Sequence, residues 1–275
     1  MDNKDRKVFF TDLDATLLDD EKGVPEGNVR ALERILAEGH AVAFTTGRVV
    51  RSTAQVVERL GFYRPGCYLI CYNGGEVYDI GNEKTLYLKA IPLDLVKLCF
   101  DIAEEEDIYI QTYAGGDCRT VLAQRPSVFL DDYCRIQMVD PLVTDDVMKV
   151  IDREPPKLLA IEEDRPKLDR FRERVGKAAG DRLDLYMSTD TYLEVVPPGV
   201  SKGDAVRFLC EHLGVPIENS VAAGDAENDI SMIREAGVGA AMANAEEAVK
   251  EAADYVTKRD NNHSGVGEIL DKFIP

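Results

Sequence analysis

Residues 8–18 read Val8-Phe9-Phe10-Thr11-Asp12-Leu13-Asp14-Ala15-Thr16-Leu17-Leu18. A run of β-favouring apolar residues stops at two carboxylates spaced i, i+2, and a small residue and a threonine follow. So apolar a run reads as a strand buried in the middle of a sheet, which places Asp12 and Asp14 just beyond its carboxyl end. In open α/β sheets, ligands bind outside that end. Two neighbouring acids repel each other and lose hydration there, so a cation or a shared proton is the expected remedy. Taken alone, the stretch fits equally well a turn in which Asp14 caps the next helix.

The chain around this stretch repeats its rhythm. Glu26 to Glu38 puts Val29, Leu32, Ile35 and Leu36 on one helical face, and Gly39 ends it. Ala41-Val42-Ala43-Phe44-Thr45-Thr46-Gly47-Arg48 is a second apolar strand, stopping at hydroxyls and an arginine. A helix over 49–60 follows, then a third strand over 67–72 closed by Asn73-Gly74-Gly75. This β-α-β-α-β order implies parallel strands joined by right-handed crossovers.

The texture then changes. Residues 76–90 read as a hairpin, 92–106 as a helix and 108–112 as a strand before the turn at Gly115-Gly116. Further on come a strand at 157–162, a helix at 168–179 and a strand at 183–187. So long a stretch cannot be a loop; residues 84–189 are predicted to be an inserted α+β domain. From Tyr192 the earlier rhythm resumes. A strand at 193–196 is followed by a helix at 201–213, and a strand at 220–223 stops at Gly224-Asp225 before a helix at 227–236. Short strands at 238–241 and 255–257 and helices at 245–252 and 266–273 finish the chain. The predicted fold is α/β: a doubly wound, Rossmann-like parallel-sheet core over 1–83 and 190–275, interrupted by the insertion.

Composition excludes several partner classes. A net charge of −18 argues against nucleic acid, which needs a basic face, and solubility is its simplest explanation. No apolar run approaches the ~18–20 residues that span a bilayer, so no membrane partner is expected. The polar stretch Met1 to Lys7 has no apolar segment behind it, and the cysteines (67, 71, 99, 118, 134 and 210) are scattered without metal-type pairs. A cytoplasmic protein with reduced thiols is expected, as a monomer or homodimer.

The strand ends form a chemical set. Asp12 and Asp225, with an oxygen of Asp14, offer the hard ligands that Mg2+ prefers. Thr46, Lys202 and backbone N–H groups near Gly47 offer what a phosphate dianion needs. A carboxylate in line with phosphorus can attack it to form an aspartyl-phosphate. A second carboxylate two residues along can protonate the leaving oxygen and then deprotonate water.

With those residues in view, the sequence resembles the haloacid dehalogenase superfamily, and within it the Cof-type phosphatases. D-x-D-x-T is met by Asp12, Asp14 and Thr16, and a strand-end threonine by Thr46 in Thr-Gly-Arg. The lysine of Ser-Lys-Gly is Lys202, and G-D-x-x-N-D is met by Gly224, Asp225, Asn228 and Asp229. The resemblance implies Asp12 as nucleophile and Asp14 as general acid/base. It implies Mg2+ on Asp12, the Asp14 carbonyl and Asp225. Phosphate would be held by Thr46, Gly47, Lys202 and Asn228, with Asp229 orienting Lys202 or a metal-bound water. Asn73 falls near the substrate, with Arg48 a further candidate. The insertion sits where the family places its larger α/β cap (C2 type), and Tyr113, Asp117 and Arg119 are candidates to reach the substrate. The implied activity is Mg2+-dependent hydrolysis of a small phosphorylated metabolite, a sugar phosphate being the usual expectation. One residue departs from the pattern: Ala15 stands where the family usually has glycine. If the backbone there needs φ > 0, alanine is strained.

Three other readings compete. Gly199-Val200-Ser201-Lys202-Gly203 matches G-x-S-x-G, with Asp225 and His263 following in hydrolase order. Pro197-Pro198, however, interrupts the strand that such an elbow requires, and Asp12, Asp14 and Thr46 go unused. A receiver-like switch shares the acidic pair, hydroxyl and lysine, but the acid two residues after the nucleophile and the insertion favour turnover. A sugar phosphomutase of the same superfamily would return the phosphoryl group to sugar, and the short insertion favours the phosphatase.

Overall fold

The computed structural model describes residues 5–115 and 120–275. In chain order the strands and helices are β1 (Val8–Asp12), α1 (Glu26–Ala37), β2 (Ala41–Thr45), α2 (Val50–Arg59), β3 (Cys67–Cys71), β4 (Glu76–Asp79), β5 (Lys84–Leu88), α3 (Leu93–Glu105), β6 (Tyr109–Ala114), β7 (Thr120–Ala123), α4 (Val128–Gln137) and β8 (Asp140–Val143). They continue with β9 (Leu158–Ile161), α5 (Arg165–Ala179), β10 (Asp184–Met187), β11 (Tyr192–Val196), α6 (Lys202–Leu213), β12 (Ser220–Gly224), α7 (Ile230–Glu235), β13 (Val238–Ala241), α8 (Glu247–Ala252), β14 (Tyr255–Val256) and α9 (Gly265–Phe273). The chain divides into two compact units.

The first unit takes in 5–48, 53–87 and 201–275. Its sheet runs β14-β13-β12-β1-β2-β3-β4-β5 among the described residues. From β14 to β3 the pairs are parallel, and β4 turns back antiparallel on β3. Val8, Phe10, Ala43, Ile70 and Ala222 form one face of a core completed by Val206 and Leu209 of α6. Every residue of β1, β2, β3 and β12 is buried, which is why these strands read as unbroken apolar runs. The helix α6 begins where it does because Ser201 caps it, accepting a hydrogen bond from Asp204 N at 3.1 Å.

The second unit holds a six-stranded sheet ordered β10-β11-β9-β6-β7-β8 among the described residues. Its pairs are antiparallel except β7 with β8. Val96, Phe100, Phe171 and Val175 of α3 and α5 cover one face, meeting Ile110, Leu122, Leu158, Ala160, Leu193 and Val195. The segment from β7 through β8, which the sequence pattern left without elements, supplies two strands and a helix capped by Ser127.

Two strands fall on the other side of the expected division. Leu193–Val196, expected in the parallel core, pairs antiparallel with β9 and β10 in the second sheet. Lys84–Leu88, expected in the insertion, extends the first sheet beside β4. Both are short runs whose composition suits either sheet, and partner choice depends on where the chain has travelled, not on the run itself.

Candidate active site

The strand order of the first sheet reverses at β1, which has β2 on one side and β12 on the other. Such a reversal opens a crevice at the carboxyl ends of the strands. Asp12 stands at that point, as the last residue of β1.

Lys202, the first residue of α6, is 1% exposed. Its Nζ donates to Asp12 Oδ1 and to Asp229 Oδ1, each at 2.6 Å. Burial works against the ammonium, but the charges of Asp12 and Asp229 outweigh it and hold Lys202 protonated more firmly than usual. Asp229 is fully buried. Its second oxygen accepts from Asp225 N at 3.0 Å and Ala226 N at 3.1 Å, so both oxygens are occupied. Gly224 makes this approach possible, since a Cβ there would lie 2.4 Å from the Asp229 Cβ.

The remaining carboxylates are less well compensated. Asp12 has its pKa pushed well up, mainly by burial, with Lys202 opposing and Asp229 and Asp225 adding to the rise. Asp225 is pushed up to about 6, again chiefly by burial, although the Thr16 hydroxyl donates to it at 2.6 Å. One oxygen from each of Asp12, Asp225 and Asp229 lies within 4.8 Å of the others. This is a set of hard oxygen donors carrying more negative charge than one lysine balances, which suits a divalent cation of the Mg2+ type.

Asp14 points elsewhere. Its carboxylate accepts from Arg48 Nε at 3.0 Å and Nη2 at 2.8 Å, and from Lys22 Nζ at 3.0 Å. Burial raises its pKa, but the hydrogen bonds and charges of Arg48 and then Lys22 outweigh this and hold the carboxyl below its ordinary range. Its carboxylate therefore stands outside the three-acid group. Between Asp14 and Thr16 the chain passes through Ala15 at φ 58°, the left-handed region where a non-glycine residue costs about 1–2 kcal/mol.

The Thr46–Arg48 turn and the turn after β3 are stitched together. Asn73 N donates to Thr46 O at 3.0 Å, Tyr72 N to Arg48 O at 3.1 Å, and Arg48 N to the Thr46 hydroxyl at 3.2 Å. Asn228 Nδ2 donates to Asn73 Oδ1 at 3.1 Å, and the Gly47 Cα sits close enough that a Cβ would lie 3.2 Å from that same oxygen. The first unit thus gathers Asp12, Asp14, Thr46, Gly47, Arg48, Asn73, Lys202, Asp225, Asn228 and Asp229 along its crevice.

Other expectations resolve differently. Ser201 is spent on capping α6, its Oγ 2.6 Å from Asp204 Oδ2, and His263 bonds Asp260, so no serine triad forms. Tyr113 is fully buried in the second unit with its hydroxyl 2.7 Å from that of Tyr133. Asp117 and Arg119 lie outside the described residues. Sequence reasoning missed Lys22, in a polar turn that gives no signal, and Asn244, which donates to the Ala15 carbonyl at 2.8 Å and whose only clue was its place just past an apolar strand.

A family model described as haloacid dehalogenase-like hydrolase matches residues 9–270. A Bacillus subtilis protein named 5-amino-6-(5-phospho-D-ribitylamino)uracil phosphatase is 27% identical, over 98% of this chain and 96% of its own. A solved structure from Thermotoga maritima is 33% identical over 97% of each chain, with a TM-score of 0.86. A haloacid dehalogenase-like hydrolase from Bacteroides thetaiotaomicron is 28% identical over 97% of this chain and 99% of that one, with a TM-score of 0.88. The chain belongs to the haloacid dehalogenase-like hydrolases and, among them, to the Cof-type phosphatases.

Proposed function

We propose that this phosphatase is a Mg2+-dependent phosphomonoester hydrolase in which Asp12 is the nucleophile. The observation that carries the reading is the buried Lys202 ammonium shared between Asp12 and Asp229, each at 2.6 Å. It fixes one Asp12 oxygen, and the other is assigned to the attack on phosphorus. Asp12, Asp225 and the main-chain carbonyl of Asp14 would hold Mg2+. When bound, the ion supplies positive charge against the phosphoryl oxygens.

The balance of the reaction follows from the side chains. An Asp12 oxygen bonds to phosphorus as the bond from phosphorus to the leaving alcohol breaks, and Asp14 gives the alcohol its proton. Water then attacks phosphorus, Asp14 takes its proton, and phosphate leaves with Asp12 restored. Asp14 must first exchange its contacts with Arg48 and Lys22 and take up a proton from solvent, because both of its oxygens are engaged by these cations, which hold it ionised. Thr46, the Gly47 amide, Lys202 and Asn228 are assigned to the phosphate, and Asp229 to orienting Lys202. The second unit is assigned the choice of leaving group. The name of the Bacillus subtilis relative supports a small phosphorylated polyol or sugar as substrate.

Replacing Asp12 by asparagine keeps the shape of the side chain and an acceptor for Lys202, but removes the nucleophilic oxygen. We expect Asp12→Asn to lower phosphate release from p-nitrophenyl phosphate and from sugar phosphates by about a thousandfold or more. Turnover within tenfold of the parent would rule out Asp12 as nucleophile.

A further inference from the structure

The turn over 13–17 aims two groups of the site, the Asp14 side chain and the Thr16 hydroxyl, and it passes through Ala15 in a left-handed conformation. An alanine does not adopt that conformation unaided, so neighbouring groups must hold it. Asn244, just beyond β13, donates from Nδ2 to the Ala15 carbonyl at 2.8 Å. Its own Oδ1 accepts from Asn261 N at 3.1 Å. Asn261 is nearly fully buried, and its Nδ2 donates to Leu18 O at 3.1 Å and to Asp20 Oδ1 at 3.2 Å. Asn262 reaches the same loop, accepting from Asp20 N at 3.0 Å. The two segments after β13 and β14 therefore grip the turn at Ala15, at its end and just past it.

We propose that Asn244 is a positioning residue of the reaction: its bond to the Ala15 carbonyl offsets the backbone strain, which fixes the turn that carries Asp14 and keeps Thr16 on Asp225. This rests on the phosphatase reading above. Asn244 is exposed, and its side chain bonds the Ala15 carbonyl and the Asn261 amide, so it is assigned to act through the turn. Without the bond, residue 15 relaxes out of the left-handed region, the following peptide rotates, and Thr16 loses its line to Asp225. With glycine at this position the conformation carries no strain, and the bond becomes dispensable.

A double-mutant cycle tests this. Asn244→Ala in the parent is expected to lower kcat by about tenfold with KM nearly unchanged. In the Ala15→Gly background the same change is expected to cost less than about twofold. An equal loss in both backgrounds, or no loss in the parent, overturns the proposal. A merely structural Asn244 would lower the unfolding midpoint and leave kcat in place. The wild type's turnover of p-nitrophenyl phosphate decides the phosphatase reading separately. Should there be none, that reading fails, and the brace is still read from urea unfolding of the same four proteins. Coupling between the two substitutions then supports it, and strict additivity overturns it.

Discussion

At the scale of single residues, Lys202 is the group on which the site's electrostatics turn. Among the described residues it is the one cation bonded to the buried pair Asp12 and Asp229. Removing one member of a buried charge cluster leaves the others uncompensated in a poorly solvating interior. Lys202→Met, close to isosteric and uncharged, is therefore expected to destabilise the metal-free protein by about 3–5 kcal/mol, read as a lower urea midpoint. Lowering the pH should restore part of the loss, because protonating Asp12 removes the repulsion that the lysine had balanced. If Lys202→Met unfolds at the parent midpoint at neutral pH, the pair is better solvated than its burial implies. Arg48 makes a contrasting case. Its fork sits on Asp14, a group of the crevice.

At the scale of elements, what was legible in the sequence follows from what each element had to do. β1, β2, β3 and β12 are buried on both faces, so their apolar runs and abrupt polar ends marked both the sheet and the site. Asp12, Thr46, Asn73 and Asp225 were thereby visible as one row. β11 is just as apolar, but a five-residue run carries no record of its partner, and it was assigned to the wrong sheet. The contacts of Lys22 and Asn244 were illegible for another reason: both residues lie in loops and meet the site only through the folded chain. The turn after β3 shows how tightly such loops are held. Gly74 has φ 104°, and a Cβ there would lie 2.1 Å from the Ser201 carbonyl oxygen. Gly74→Ala must either flatten this turn or push back the start of α6, which carries Lys202. A loss of about 3 kcal/mol in stability is expected from strain and overpacking together, with a fall in turnover as the start of α6 shifts Lys202. Urea unfolding and phosphate release measure the two effects, and an unchanged Gly74→Ala protein would mean that the approach of α6 is not what requires the glycine.

At the scale of the whole molecule, the acidity has a thermodynamic consequence. The chain holds 51 acidic against 33 basic side chains, and the crevice concentrates this excess in carboxyls that burial has already raised. For Asp225 the shift runs from the ordinary 3.8 to about 6. The folded protein therefore keeps a proton between those values that the unfolded chain has released. Stability of the metal-free protein must then fall as pH rises through that window, and the contribution of Asp225 levels off above it. Asp12 is raised in the same sense and prolongs the decline. A divalent cation reverses the sign, because it binds the deprotonated carboxylates and only the folded chain assembles them. With EDTA present, the unfolding midpoint is expected to be higher at pH 5 than at pH 7. Added Mg2+ should raise it at pH 7 and hardly at pH 4.5, with each kcal/mol appearing as about 2–4 °C. Asp225→Asn separates the local cause from the general one. It removes the titrating group and keeps an acceptor for Thr16, so it should flatten the slope between pH 4 and 6 and weaken the response to Mg2+. A slope that survives in Asp225→Asn would assign the pH dependence to the repulsion of the whole charged surface, which added salt would then screen out.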